Sequence, residues 1–109
     1  MKRALVTGGS GDLGGAVCRQ LAADGWHVIV HSHRAVERAA KLVAELQGEG
    51  RAASGCNFDL TSHVEVVRAI DMLLSEGPIQ GLVHAAGIHA DGPLAGMTER
   101  QWREVLAIS

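Results

Sequence analysis

The stretch Thr7-Gly-Gly-Ser-Gly-Asp-Leu-Gly14 joins a short apolar run, residues 3–7, to a segment with helical periodicity. Its spacing Gly9-x-Gly11-x-x-Gly14 leaves three positions without a side chain. Such positions allow a tight turn, a close approach of the backbone to a phosphate, and close packing of a helix on a strand. The first turn of a helix also offers free amides and a partial positive charge to an anion. We therefore predict that the backbone amides between Gly8 and Gly14 hold the diphosphate of a dinucleotide.

Working outward from this loop, apolar runs alternate with segments of helical period along the whole chain. Strands are predicted over residues 3–7, 26–31, 52–58 and 80–86, with helices between them. The first helix ends at Asp24-Gly25, the second at Gly48 and Gly50, and the third, which opens at the capping box Ser62–Glu65, ends at Gly77. In each predicted helix, the residues at helical spacing are expected to form the buried face. They are Leu13, Ala16, Val17 and Leu21 in the first helix, Val36, Ala39, Ala40, Val43 and Leu46 in the second, and Val64, Val67, Ile70, Asp71 and Leu74 in the third.

Strands that alternate with helices pair in parallel through right-handed crossovers, with helices on both faces. The predicted fold class is therefore α/β, a doubly wound parallel sheet. It is truncated after the fourth strand and the start of the next helix, which a second capping box at residues 98–101 would open.

Composition excludes several classes of partner. The chain has 109 residues and a formal net charge of -2, with its basic residues scattered, so we expect no nucleic-acid or membrane partner. The early apolar run stops after three residues, far short of a signal peptide.

Only two cysteines occur, Cys18 and Cys56, which favours a reduced, cytoplasmic setting, with Cys18 a small packed residue. Six histidines are present, but no carboxylate or thiol pattern completes a ligand set with His27, His31 and His33, so no metal site is expected.

Three motifs together resemble the short-chain dehydrogenase/reductase family, and the resemblance covers essentially the whole chain. They are the glycine loop, Asp59-Leu60 after the third strand, and His84-Ala85-Ala86-Gly87 after the fourth. The resemblance implies that residues 1–109 form an NADP(H)-binding Rossmann domain, incomplete at its C-terminus. It also implies that Asp59 and Leu60 lie beside the adenine and that His84 to Gly87 line the cleft near the ribose and nicotinamide.

The end of the second strand predicts which dinucleotide binds. An acid there would bind both ribose hydroxyls and repel a 2′-phosphate, whereas this chain has Ser32-His33-Arg34. A guanidinium and a hydroxyl suit a phosphate, so NADP(H) is the predicted cofactor. The predicted cofactor-binding residues are Gly8, Gly9, Ser10, Gly11, Asp12, Leu13, Gly14, Ser32, His33, Arg34, Asp59, Leu60, His84, Ala85, Ala86 and Gly87.

Within the family, different parts of the chain resemble different branches. Asp12 stands where single-domain reductases have a glycine, and the loop is more like that of nucleotide-sugar epimerases. The residues after the fourth strand resemble single-domain 3-oxoacyl-[acyl-carrier-protein] reductases and polyketide ketoreductases. The resemblance therefore implies NADPH-dependent reduction of a 3-oxoacyl thioester, as in fatty acid biosynthesis. The substrate would be a small molecule or linked to acyl carrier protein, and the intact protein would be a homo-oligomer. An epimerase or dehydratase of nucleotide sugars and a non-catalytic NADP(H)-binding sensor are the alternatives.

The family's chemistry depends on residues that this chain does not contain. A tyrosine protonates the developing alkoxide, and a lysine four residues later lowers its pKa. The chain has no tyrosine, so we expect the 109 residues alone to be inactive and the catalytic pair to lie beyond them in an intact protein. Ser109 stands where the family has an active-site asparagine, and it is the one catalytic candidate.

Overall fold

The computed structural model describes residues 1–85 of the chain. The predictions that involve Ala86, Gly87, Ser109 and the capping box at residues 98–101 lie outside these residues. The alternation of strands and helices predicted from the sequence is confirmed, with ends that differ by one or two residues. The elements are β1 (Arg3–Thr7), α1 (Asp12–Ala23), β2 (His27–Ser32), α2 (Val36–Gly48), β3 (Ala53–Asn57), α3 (His63–Ser75) and β4 (Gly81–His84).

The four strands form one parallel sheet in the order β3-β2-β1-β4. The crossovers through α1 and α2 carry the chain to one side of β1, and the crossover through α3 returns it to the other side. The chain therefore adds β2 and β3 on one side of β1 and β4 on its other side, which makes the position beside β1 a topological switch point. In open sheets of this kind, ligands bind outside the carboxyl ends of the strands at such a switch point. The loop of residues 8–11 begins there, directly after Thr7.

Two apolar cores, one on each face of the sheet, hold the helices in place. Val28 and Val30 of β2 point to α1 and α2, whereas Ile29 points to α3, because successive side chains of a strand face opposite sides. The first core contains Val6, Cys18, Ala22, Val28, Val30, Ala39, Leu42, Leu46 and Ala53, and the second contains Leu5, Ile29, Phe58, Val66, Ile70, Leu73 and Ile79. The predicted doubly wound arrangement is confirmed.

The buried faces of the helices differ in part from those predicted. The buried residues of α1 are Gly14, Gly15, Cys18 and Ala22, whereas Leu13 is 70% exposed. Periodicity favours the large apolar residues, but α1 lies against the sheet through its small ones, which permit closer packing. Burial raises the pKa of the Cys18 thiol to about 11, and its predicted role as a small packed residue is confirmed. In the other helices, Val36, Ala40, Val64 and Val67 are exposed, while Leu42, Val66 and Leu73 are buried.

The predicted capping box at the start of α3 is half formed. The Ser62 hydroxyl accepts a hydrogen bond from the Glu65 amide at 3.3 Å, which satisfies one free amide of the first turn. The Glu65 carboxylate accepts instead from the Asp59 amide at 3.3 Å. Both bonds fix the β3–α3 turn, residues 58–62.

Among residues 1–85, no helix combines the length and apolar character needed to cross a membrane.

Candidate functional site

The segment after β1, residues 8–14, is called the phosphate loop and includes the first residues of α1. It starts with a turn that only glycine makes easily. Gly8 has φ 67°, in the left-handed region that side chains disfavour. The Gly9 position is crowded, because a Cβ there would lie 3.0 Å from both Val30 Cγ1 and the Val6 carbonyl oxygen. The tight turn assigned to the fingerprint glycines therefore begins one residue earlier, at Gly8.

One residue of β2, His31, binds the first two amides of this loop. The Gly8 amide donates to His31 Nδ1 at 3.0 Å, and the Gly9 amide donates to the His31 carbonyl oxygen at 3.0 Å. These two amides already have protein partners and point toward β2. The group of amides that can bind a diphosphate is therefore smaller than the stretch from Gly8 to Gly14 predicted from the sequence.

The amides left for an anion lie at the start of α1. The Gly11 and Gly15 amides donate to the carbonyl oxygens of Gly8 and Gly11, at 3.2 Å and 2.7 Å. Within residues 1–85, no hydrogen bond is formed by the amides of Ser10, Asp12, Leu13 and Gly14. Together with the partial positive charge of the helix end, these four amides suit a phosphate.

The backbone packs most tightly where Gly14 passes Gly8. A Cβ at Gly14 would lie within overlap distance of the Gly8 carbonyl oxygen and 2.8 Å from Gly9 Cα. Gly11 differs, since a Cβ there would meet only the Gly8 carbonyl oxygen, at an ordinary 3.6 Å. Gly14 is thus required by the loop itself, whereas Gly11 is not.

The segment after β2 carries the predicted phosphate-binding group. Ser32 is buried, and its carbonyl oxygen accepts from the Phe58 amide at 3.2 Å and from Asn57 Nδ2 at 3.0 Å. Asn57 Nδ2 also donates to the His33 carbonyl oxygen at 2.7 Å, which fixes the backbone there. His33 and Arg34 are exposed beyond the strand, so the Arg34 guanidinium is accessible to a ligand.

Asp59 shapes its own turn at the end of β3. Its Oδ1 accepts from the Thr61 amide at 2.9 Å and from the Thr61 hydroxyl at 2.7 Å. These bonds lower the pKa of Asp59, and the positive fields of His33 and Arg34 add to the decrease. The carboxylate is therefore ionised at neutral pH. No described residue donates to Oδ2, so this oxygen is available as a hydrogen-bond acceptor.

On the other side of the switch point, Thr7 joins β1 to β4. The buried Thr7 hydroxyl lies 2.8 Å from His84 Nδ1 and 3.3 Å from the Val83 carbonyl oxygen. The Ala85 amide donates to the Thr7 carbonyl oxygen at 2.9 Å. His84 is the last residue of β4, so it lies at the carboxyl edge of the sheet, as does the start of residues 8–14. Its side chain is exposed there.

One acidic residue lies among these groups. Asp12 is the first residue of α1, and its Oδ1 is 3.7 Å from Arg38 Nη2 in a solvent-exposed ion pair. A carboxylate there stabilises the helix end, but it also opposes an approaching phosphate. Arg38 and Lys41 line the same groove between α1 and α2 and partly offset this charge.

A parallel sheet with a glycine loop at its switch point and free helix amides beside it is the arrangement of the Rossmann fold. The chain belongs to the short chain dehydrogenase family, which it matches over residues 2–109. The family resemblance seen in the sequence is thereby confirmed.

The similar proteins of known sequence include several reductases. The chain is 36% identical over 105 residues to the uncharacterized oxidoreductase YuxG of Bacillus subtilis, covering 93% of this chain and 15% of that protein. It is 33% identical over 106 residues to the 3-oxoacyl-[acyl-carrier-protein] reductase FabG of Staphylococcus aureus, covering 96% and 43%. It is 34% identical over 107 residues to the pikromycin polyketide synthase component PikAII of Streptomyces venezuelae, covering 94% and 3%.

Similar solved structures include two from Burkholderia cenocepacia. A short chain dehydrogenase in complex with NADP has a TM-score of 0.74 and 37% identity, covering 96% of this chain and 43% of that one. A gluconate 5-dehydrogenase in complex with NADP and tartrate has a TM-score of 0.72 and 34% identity, covering 95% and 41%. The chain thus spans less than half the length of each of these relatives.

The residues predicted from the sequence converge at the carboxyl edge of the sheet, as far as they are described. Residues 8–14 follow β1, and Asp59-Leu60 lie just after Phe58, which follows the end of β3. Ser32 to Arg34 start at the last residue of β2, and His84-Ala85 start at the last residue of β4. Sequence reasoning missed His31 as a structural partner and considered it only as a metal ligand. The sequence does contain a signal for this role. His31 follows Ile29 by two residues and therefore lies on the same buried face of the strand, where a polar side chain needs a hydrogen-bond partner.

Proposed function

We propose that this chain binds NADP(H) across the carboxyl edge of its sheet and serves as the nucleotide-binding half of an NADPH-dependent reductase. The observation that carries the proposal is the set of four amides at Ser10, Asp12, Leu13 and Gly14. They have no hydrogen-bond partner within residues 1–85, and they lie after the carboxyl end of β1, at the same edge of the sheet as Arg34. Similar structures in complex with NADP support the choice of cofactor.

Each part of the site has a separate task in binding. The amides at the start of α1 hold the diphosphate, and Arg34 with Ser32 and His33 holds the 2′-phosphate. Asp59 Oδ2 and Leu60 contact the adenine, while His84 and Ala85 line the nicotinamide end. When bound, NADPH supplies the hydride, and the residues of this chain position it.

The favoured substrate is a 3-oxoacyl thioester, small or linked to acyl carrier protein, reduced by a longer protein that contains this chain. Similarity to FabG and to a polyketide synthase component supports this substrate class. An epimerase or dehydratase of nucleotide sugars is disfavoured, because the end of β2 carries Arg34 rather than an acid. A non-catalytic NADP(H) sensor remains the second candidate, favoured by the carboxylate of Asp12 in the phosphate loop. The proposed setting is cytoplasmic, and the proposed intact form is a homo-oligomer.

Calorimetry and an absorbance assay test the proposal together. The purified 109-residue chain is expected to bind NADP⁺ and to show no NADPH oxidation with a 3-oxobutanoyl thioester. A longer protein that contains this chain is expected to oxidise NADPH with the same thioester. Binding without turnover by the longer protein would favour the sensor, and turnover by the 109 residues alone would contradict the proposed division of roles.

Replacing Asp12 by asparagine is expected to tighten NADP⁺ binding. The change removes one negative charge beside the phosphate site and frees Arg38, with an expected gain of about two- to five-fold at low ionic strength. Asp24→Asn, at the other end of α1, is the matched control and should leave the affinity unchanged. Calorimetry at two salt concentrations checks both variants, and weaker binding by Asp12→Asn would show that the carboxylate assists the ligand.

A further inference from the structure

His31 connects the two halves of the proposed nucleotide site. It is 2% exposed, and its Nδ1 binds the Gly8 amide at 3.0 Å while its Nε2 lies 2.8 Å from the Phe58 carbonyl oxygen. Its ring also packs on Phe58, with ring centroids 4.3 Å apart. Gly8 opens the phosphate loop and Phe58 directly precedes Asp59, so one side chain sets the distance between the diphosphate side and the adenine side.

We propose that His31 is a positioning residue that holds the phosphate loop and the β3–α3 turn in their binding geometry only while its imidazole is neutral, so that acid weakens dinucleotide binding. The inference rests on the proposed function, because it concerns the control of that same site.

The two contacts fix the protonation state of the ring. A backbone amide can only donate and a backbone carbonyl can only accept, so Nδ1 must accept from Gly8 and Nε2–H must donate to Phe58. Only the neutral tautomer with its proton on Nε2 satisfies both partners. Protonation would place an N–H on Nδ1 directly opposite the Gly8 N–H, which turns a hydrogen bond into a repulsive contact between two donors.

The surroundings of the ring favour the same neutral state. Burial lowers the pKa of His31 below its ordinary 6.5, and the Phe58 carbonyl partly opposes this decrease. The titratable groups that act on the ring are His33, which lies just beyond the end of β2, and His84, from β4, and both lower the pKa further. Within residues 1–85, no carboxylate is among the groups that shift this pKa.

The sign of the pH dependence follows from this lowered pKa. Above about 6.5 His31 is neutral in both the folded and the unfolded chain, and its contacts are complete. As the pH falls below 6.5, the unfolded chain takes up the proton first, so stability decreases until the lower folded pKa is reached. Below that folded pKa the Gly8 contact is lost, and NADP⁺ affinity is expected to fall by up to about tenfold per pH unit.

Two substitutions separate the two contacts of His31. Asparagine places an amide oxygen near the position of Nδ1, so His31→Asn keeps an acceptor for the Gly8 amide and does not titrate. Glutamine places an amide nitrogen near Nε2, so His31→Gln keeps the donor to the Phe58 carbonyl and loses the Gly8 contact. Each variant thus serves as the matched control for the other.

The test is NADP⁺ calorimetry on the wild-type chain and both variants from about pH 8 to about pH 5. At the upper pH, both variants are expected to bind more weakly than the wild type. His31→Asn, which loses only the Phe58 contact, should lose about three- to tenfold in affinity, and His31→Gln, which loses the Gly8 contact, should lose more than tenfold. Towards the lower pH, wild-type affinity is expected to fall relative to His31→Asn, whose affinity changes only with the groups that both proteins share. Urea unfolding of each protein identifies effects on stability alone.

Some results would overturn the inference and leave the proposed function standing. These are a wild-type chain and a His31→Asn variant with the same pH profile, or a His31→Gln variant that binds as tightly as the wild type. A wild-type chain that binds no NADP⁺ at any pH would overturn the proposed function, and the inference with it.

Nuclear magnetic resonance of the wild-type chain decides the matter should a variant fail to fold. The His31 ring nitrogens are expected to show the tautomer protonated at Nε2, and the Gly8 amide resonance should shift with the midpoint at which NADP⁺ affinity falls. A proton on Nδ1 at neutral pH, or a Gly8 amide that ignores the titration of His31, would overturn the inference.

Discussion

Replacing Gly14 by alanine is expected to lower the free energy of unfolding by ~2–4 kcal/mol and to abolish measurable NADP⁺ binding. The added Cβ would overlap the Gly8 carbonyl oxygen and approach Gly9 Cα at 2.8 Å. Both neighbours are backbone, so no side-chain rotation relieves the clash, and α1 must move away from the loop. That movement displaces the free amides at the start of α1 from their common edge.

The matched control is alanine at Gly11, in the same loop and with the same change in volume. A Cβ there meets only the Gly8 carbonyl oxygen at 3.6 Å, and the Gly11 backbone has an extended conformation that alanine adopts freely. Gly11→Ala is therefore expected to change the free energy of unfolding by less than about 1 kcal/mol. Urea unfolding followed by circular dichroism measures both, and equal losses for the two variants would contradict the close contact between Gly14 and Gly8.

Replacing Arg34 by alanine is expected to weaken NADP⁺ binding about 10- to 100-fold and to leave NAD⁺ binding nearly unchanged. The guanidinium is exposed just beyond β2, where a charge-assisted bond can reach a 2′-phosphate but is not needed for the rest of the dinucleotide. Competitive fluorescence titration of NADP⁺ and NAD⁺ measures the preference directly.

Arg51→Ala is the control for this change. Arg51 is also an exposed arginine, but it precedes β3 and therefore lies at the amino edge of the sheet. Its loss should affect neither nucleotide. A wild-type chain that prefers NAD⁺, or an Arg34→Ala variant that loses affinity for both nucleotides equally, would contradict the assignment of Arg34 to the 2′-phosphate.

The order of the elements could be predicted because each buried strand is a continuous apolar run closed by a turn. The buried faces of the helices could be predicted only in part, as α1 shows. Periodicity gives weight to large residues such as Leu13, whereas the helix packs on the sheet through Gly14, Gly15 and Cys18. The distance between a helix and a sheet depends on the side chains of both, so the pattern of residues within the helix alone does not predict it.

The site shows the same division between local pattern and tertiary contact. The glycine spacing and the residues after each strand predicted which segments converge at the switch point. The pairing of the Gly8 and Gly9 amides with His31 joins residues 22 or more positions apart, and no local signal reports it. For that reason the sequence assigned every amide of the loop to the diphosphate, whereas the structure leaves those of Ser10, Asp12, Leu13 and Gly14 without a described partner.

An amide chemical-shift map of the ¹⁵N-labelled chain, with NADP⁺ added to saturation, shows which amides hold the diphosphate. The largest changes are expected at the amides of Ser10, Asp12, Leu13 and Gly14, and smaller ones at Gly8 and Gly9, which stay bonded to His31. Changes centred on the amino edge of the sheet, with the start of α1 unaffected, would contradict the claim that these four amides hold the diphosphate.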